Sequence, residues 1–328
     1  MVKRSFFILP LISVLFLTFA SCRDKFLTAD GTTWGTTYHI VYRGDAVLAD
    51  SIGAELRSID SELSLFNPES TVSAVNDCRT DSVGPRFAEL IELSKRVCSL
   101  SDGVYDPTVG PLCEIWGFGK SDYNGEPSAE VIAEALATVG IMDCTVSSEG
   151  IITKKAPGTK FDFSSIAKGY GIDCIGRMFE RNGVSDYLIE IGGEVLVSGS
   201  NAQERPWHIQ IDSPEGGMGH SALEIKELGP RRSAIASSGN YRNFRTDSTG
   251  IRFGHTISPV TGRPAVTSVL SASVCAGDCA LSDALATACI ASGSVSAAMD
   301  ILRRAGVPGL IVSVDSAGNM VAERAGDF

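Results

Sequence analysis

Apolar and polar positions change period several times along the chain, and the changes mark its elements. Ile52, Leu56, Ile59 and Leu63 recur at helical steps, with acids and serines between them. This predicts an amphipathic helix over residues 50–65, ended by Phe66-Asn67-Pro68. Val75 and Asn76 then lead through a turn-rich loop to a second such helix over 87–100, stopped at Ser101-Asp102-Gly103. Ser128 caps a helix running to Val139, and another helix ends near Arg304. Residues 281–290 have the small-residue, apolar pattern of a buried helix. Period-two or short apolar runs predict strands over 32–43 (around Gly35), 187–191 resumed at 194–197 after Gly192-Gly193, 207–211, 233–238 and 269–274. Residues 151–155 and 159–163 read as a hairpin across Pro157-Gly158, and 309–314 with 320–323 as a terminal one. After Ser238 the chain turns out through Gly239-Asn240-Tyr241-Arg242. Many short strands among helices predict an α+β fold, a mixed α/β sandwich, rather than a regular βαβ repeat. No low-complexity tract or fixed-period repeat interrupts it.

The first 22 residues follow another rule. Lys3 and Arg4 precede a nearly unbroken apolar run from Phe6 to Ala20, which ends in Ala20-Ser21 before Cys22. The run is shorter than the roughly 20 residues of a spanning helix, and small residues close it, so it reads as an export signal. The ending resembles a bacterial lipobox, with Phe19 where Leu is more usual and Cys22 as the lipidated residue. The alternatives are an ordinary signal peptide or an uncleaved anchor. The expected organisation is a lipoprotein signal peptide over 1–21, a tether over 22–30 and one compact catalytic body over 31–328. One anchor holds such a body near a membrane surface.

The formal charge is −11, and removing residues 1–21 takes away Lys3 and Arg4 and no acid, leaving −13. An acidic surface argues against nucleic acid as a partner. Without Cys22, eight cysteines remain, with no CxxC spacing and no zinc-type run. Most have apolar neighbours and are expected to be structural.

Three stretches carry candidate chemistry. Asp283 and Thr287, four apart on a helix, share one face, where a carboxylate and a hydroxyl can hold a hard cation such as Mg²⁺. The competing reading makes Asp283 a helix cap and lets Thr287 bond back to its own helix. The pattern turns from strand to helix at Ser164 or Ser165, so Asp162, Ser165 and Lys168 bracket a helix start with its exposed N–H groups. This is no P-loop, because the glycine–lysine spacing is wrong. Residues 103–119 are rich in Gly and Pro yet keep Tyr105, Trp116 and Phe118, which suit either a pocket wall or a loop tucked into the core. His255 precedes a Ser258-Pro259 and Thr261-Gly262-Arg263-Pro264 turn. His39 and His208 read as strand-face residues.

Taken in order, Gly35-Thr36, LSLFNPESTVSAVN, DGVYDPTVGPLCEIWGFG, DFSSIAKGYGID, IEIGGE, ASSGNYRNF, HTISPVTGRP and SDALATA resemble the ApbE family of FAD:protein FMN transferases. The resemblance implies an ApbE-like (T-fold-like) body that splits FAD, moves FMN to a Thr or Ser of a partner protein and releases AMP, using Mg²⁺. It implies metal ligands at Ser165, Asp283, Thr287 and the Ala286 carbonyl. Flavin contacts would come from Trp34, Phe66, Val104, Tyr105, Asp106, Asp162, Lys168 and Ile257. Trp34 stands where the family often has Met. A base must accept the acceptor hydroxyl's proton; His255, with an unperturbed pKa near 6.5, is the first candidate and Asp162 the second. The acceptor is expected to be a membrane redox subunit, and the place the bacterial cell envelope, lipid-anchored and facing the periplasm from the inner membrane. The rivals are a metal-dependent FAD pyrophosphatase, a flavin-binding electron carrier that keeps its FAD, and a non-catalytic envelope scaffold.

Overall fold

The computed structural model describes residues 25–44, 47–119, 125–214, 222–239, 244–246, 252–315 and 317–328. The expected leader with Cys22 lies outside them, as do Asn240, Tyr241 and Arg242. β1 (Phe26–Thr33) and β2 (Thr36–Arg43) form a hairpin about Trp34-Gly35, whose φ values are 49° and 75°. Two successive left-handed residues are what a two-residue type I′ turn needs, so the single strand expected across Gly35 is two. The sheet already begins at Phe26, inside the span expected as a tether.

Helices α1 (Ala49–Leu63), α2 (Thr71–Asn76) and α3 (Pro85–Leu100) follow. α1 buries Ile52, Leu56, Ile59 and Leu63, the positions its spacing marks. α2 occupies part of the expected loop: Ser70 Oγ accepts from Ser73 N at 3.1 Å, and Val72 and Val75 are buried. Six residues are too few for periodicity to show it. α4 (Gly110–Ile115) lies within the Gly- and Pro-rich stretch, and α5 (Ala129–Leu136) starts at its Ser128 cap. β3 (Thr145–Val146) pairs with β4 (Ile152–Thr153). The second strand expected over 159–163 does not form. That run makes one parallel bridge, Lys160 to Val109, and the Asn76 amide clamps Phe161, accepting from its N–H at 2.7 Å and donating to its carbonyl at 2.8 Å. A side chain thus satisfies backbone groups that a strand partner would have taken.

α6 (Ala167–Arg181) leads to β5 (Tyr187–Ile191) and β6 (Glu194–Ser198), which pair antiparallel about Gly192-Gly193. β6 therefore returns beside β5 instead of resuming it. The rest comprises β7 (Trp207–Asp212), β8 (Ala222–Leu228), β9 (Ser233–Gly239), β10 (Phe244–Thr246), β11 (Arg252–Gly254) and β12 (Val269–Ala276). Helices α7 (Cys279–Ala291) and α8 (Val295–Ala305) precede the terminal hairpin of β13 (Gly309–Val314) and β14 (Met320–Ala325).

Eight strands make one antiparallel sheet in the order β1-β2-β5-β6-β9-β12-β13-β14. Alternation along each strand decides which layer a residue serves. Leu196, Ala234, Val274 and Ile311 pack with the helices, while their neighbours Val195, Ile235, Cys275 and Leu310 pack with Trp207, Ile211 and Leu228 of the β7–β8 hairpin. The α+β expectation holds, with helices over one face and a hairpin on the other. α7 lies against β9 and β12, and each of its residues except Thr287 is buried. No helix among the described residues is long and apolar enough to cross a membrane. The eight described cysteines are free thiols, seven of them buried.

Candidate functional site

α7 is otherwise small and apolar, and with Ser282 turned back to the Asp278 carbonyl, Asp283 and Thr287 are its informative polar positions. Its start is capped from outside: Asp173 of α6 accepts from Cys279 N (3.0 Å) and Ala280 N (2.8 Å), and Arg232 closes on the same carboxylate at 2.6 Å. Burial pushes Asp173 up to about 6. Asp283 is thus no cap of its own helix. Its Oδ2 accepts from Gly169 N, in the first turn of α6, at 3.1 Å. The two helices come this close because position 169 has no side chain; a Cβ there would stand 2.5 Å from the Cys279 carbonyl oxygen. Thr287 Oγ1 lies 3.2 Å from Ser238 Oγ of β9 and so reaches the sheet.

Both residues open on a cavity of 440 Å³, within the roughly 300–1,000 Å³ usual for small-molecule sites. Its walls combine the start of α6, the loop before α4, the β5–β6 turn, the ends of β7, β9 and β12, and residues 255–257. Of the sequence-predicted residues, Val104, Tyr105, Asp106, Asp162, Ser165, Lys168, His255, Ile257, Asp283 and Thr287 line it. Trp34 and Phe66 do not. Trp34 lies in the β1–β2 turn with its ring against Gly171 of α6, and Phe66 is 84% exposed beyond the end of α1. Ala286 is buried in α7 between the two polar positions, and its side chain does not reach the cavity lining.

Several of these groups already have structural duties. Asp106 Oδ1 accepts from Thr108 N (2.8 Å) and Thr108 Oγ1 (2.6 Å), and Oδ2 accepts from Ile141 N (2.8 Å). Its carboxylate fixes the loop. Tyr105 is 3% exposed, so its ring is no open platform; its hydroxyl accepts from Ser165 Oγ at 3.2 Å, which leaves the serine's lone pairs free. Asp162 accepts from Ser164 N at 2.9 Å and stands beside Cys113, whose thiol burial and this carboxylate push up. His255 is exposed at the rim, its ring edge-on to Phe118 with centroids 6.4 Å apart.

A charge cluster lies deeper. Lys168 Nζ meets Glu194 Oε1 at 2.6 Å. Burial alone would lower the pKa of the Lys168 ammonium, but Asp283 and Glu194 outweigh it and hold the group above the usual lysine value. Burial raises the Asp283 carboxyl against the pull of Lys168 and the Gly169 N–H. Burial likewise lifts Glu194 to about 7 against the pull of Lys168. One ammonium thus pairs with Glu194 and acts through charge on Asp283. Sequence reasoning missed Glu194, reading it as the first residue of a strand. An acid heading the otherwise apolar run Glu194-Val195-Leu196-Val197 was the available signal.

The donors suit a hard cation: a carboxylate on Asp283 and hydroxyls on Thr287 and Ser165, all oxygen. Among the described residues no cluster of three or more His, Cys, Asp or Glu could hold a metal. An all-oxygen donor set suits a small, hard divalent ion.

The ApbE family model matches residues 34–311. The chain belongs to the ApbE family. An FAD:protein FMN transferase of Vibrio cholerae is 32% identical over 296 residues, covering 87% of each chain. One of Haemophilus influenzae is 33% identical over 293 residues, covering 83% of this chain and 82% of the relative. Among solved structures of the ApbE family, the flavin transferase of Vibrio cholerae superposes with a TM-score of 0.81 at 28% identity, covering 93% of this chain and 98% of that one. The apo flavinyl transferase of Pseudomonas stutzeri gives 0.81 at 28%, covering 92% and 95%.

Proposed function

We propose that this ApbE-family chain transfers FMN from FAD to a Thr or Ser hydroxyl of an acceptor protein, releases AMP and depends on Mg²⁺. The observation that carries the reading is the meeting of Asp283 and Thr287 of α7 with Lys168 of α6 and Ser165 just before α6 on one cavity, two segments 114 residues apart at the Gly169–Asp283 bond. Asp283, Thr287 and Ser165, with the Ala286 carbonyl, would hold the cation, which when bound supplies Lewis-acid stabilisation to the pyrophosphate oxygens. Lys168 adds a fixed positive charge beside them. Phosphoryl transfer asks mainly for positioning and charge neutralisation, and these side chains provide both.

In the transfer step the acceptor oxygen bonds to the FMN phosphorus while the bond from that phosphorus to the bridging oxygen breaks. AMP leaves with the electron pair. The acceptor's proton goes to the His255 imidazole, which stands exposed at the mouth of the cavity, where an acceptor protein arrives. Asp162 is engaged by Ser164 N and sits against Cys113, which makes it the poorer base. The flavin contacts expected at Val104, Asp162 and Ile257 are compatible with their places in the wall; those expected at Trp34 and Phe66 find no such support.

The first 22 residues support a lipid anchor at Cys22 and a place in the bacterial envelope, facing the periplasm. The acceptor would then be a membrane redox subunit. The test is to incubate the protein with FAD, Mg²⁺ and an acceptor carrying an exposed Thr, then weigh the acceptor. A gain equal to FMN less water, with one AMP per event, is expected. AMP and free FMN without labelled acceptor would instead identify an FAD pyrophosphatase.

A further inference from the structure

Glu194 stands outside every role assigned so far. It heads β6 directly after the Gly192-Gly193 turn, lines the cavity and is 4% exposed. Oε1 meets Lys168 Nζ at 2.6 Å, while Oε2 is buried without a hydrogen-bond partner among the described residues. A buried carboxylate oxygen with no donor is costly, so its place in a fold needs a reason. Lys168 supplies only half of one, because its ammonium reaches Oε1 and leaves Oε2 unmet.

We propose that Glu194 is a positioning residue of the cation site: Oε1 holds the Lys168 ammonium, and Oε2 accepts from the water shell of the divalent cation bound at Asp283. The inference rests on the cation site proposed above. Mg²⁺ keeps several waters when bound, and each needs an acceptor, so an orphaned carboxylate oxygen in the same cavity matches its chemistry. The alternative donor is a hydroxyl of the flavin substrate, and charge separates the two. Substrate brings an anionic pyrophosphate, which a buried carboxylate repels; a divalent cation is attracted.

Glu194→Gln keeps the shape and an acceptor for Lys168 but removes the charge. Titrating Mg²⁺ and Mn²⁺ by calorimetry without FAD should show cation affinity reduced about tenfold or more, in the range seen for lost outer-sphere partners. FAD binding in EDTA, followed by flavin fluorescence, should be unchanged or tighter. Lys168→Met leaves both carboxylates without their ammonium and should tighten cation binding, so the proposal stays testable if the glutamine variant folds poorly. Cation affinity of Glu194→Gln within twofold of wild type, while Asp283→Ala loses it, overturns the inference and leaves the site standing. Weakened FAD binding in EDTA would assign Oε2 to the flavin and also overturn it. If Asp283→Ala itself binds cation as wild type does, the proposed site falls.

Discussion

His255 and Asp162 both line the cavity, and what surrounds each decides which can take a proton. Asp162 accepts from Ser164 N and is packed beside a buried thiol, whereas His255 is exposed at the rim. A general base contributes about 10²–10⁴-fold in rate. His255→Ala should therefore cut transfer to a Thr-bearing acceptor by about that factor, with FAD and Mg²⁺ affinities kept and partial recovery as pH rises. A large loss of FAD affinity with unchanged turnover at saturating FAD would make His255 a binding residue instead. The other described histidines serve as controls. His39 pairs with Asp30 on the β1–β2 hairpin, and His208 stands 3.5 Å from Glu227 on β7–β8. Both pairs are exposed and neither histidine lines the cavity, so His208→Ala should leave transfer within about twofold of wild type, consistent with the small worth of surface pairs.

At the scale of elements, the site depends on how closely α6 approaches α7. Gly169→Ala would drive a methyl into the backbone of Cys279 and Ala280, at 2.5 and 2.8 Å, where neither neighbour is a flexible side chain. The helices would part and the Gly169–Asp283 bond would lengthen. We expect a loss of about 1–3 kcal/mol in stability, typical of overpacking, read as a lower midpoint in denaturant, together with weaker Mg²⁺ binding. Unchanged cation affinity would mean that Asp283 is held without Gly169. The same elements show what the sequence could and could not reveal. α1 and α7 were legible because their apolar spacing reports burial directly. The Trp34-Gly35 turn was not, since an I′ hairpin preserves alternation on both sides and the signal there was Gly alone. The run over 159–163 has strand composition, but a distant Asn76 amide takes its hydrogen bonds, and no local pattern encodes that clamp. Asp283 and Thr287 were visible as a pair on one helix face. Glu194 was hidden because its partner Lys168 lies on another element.

For the whole molecule, the cavity's position lets the proposed anchor and the proposed chemistry be tested separately. The site is built from the loop before α4, α6, α7 and the strands β6, β7, β9 and β12, within residues 104–291, while β1 starts at Phe26 on one edge of the sheet. The remaining chain carries a formal charge of −13 and, among the described residues, no helix able to span a bilayer. An acidic body gains no attraction from anionic lipid, so the membrane attachment proposed above would have to come from the first 22 residues and an acyl chain on Cys22. Cys22→Ala should then move the full-length product from the membrane fraction to the soluble fraction, with flavin transfer to a soluble acceptor kept within about twofold of wild type, since no wall of the site is touched. Cell fractionation followed by the mass assay on both fractions reads the two halves independently. Membrane retention with activity intact would point to an uncleaved apolar anchor over residues 6–20, and loss of activity on release would tie the leader to the site.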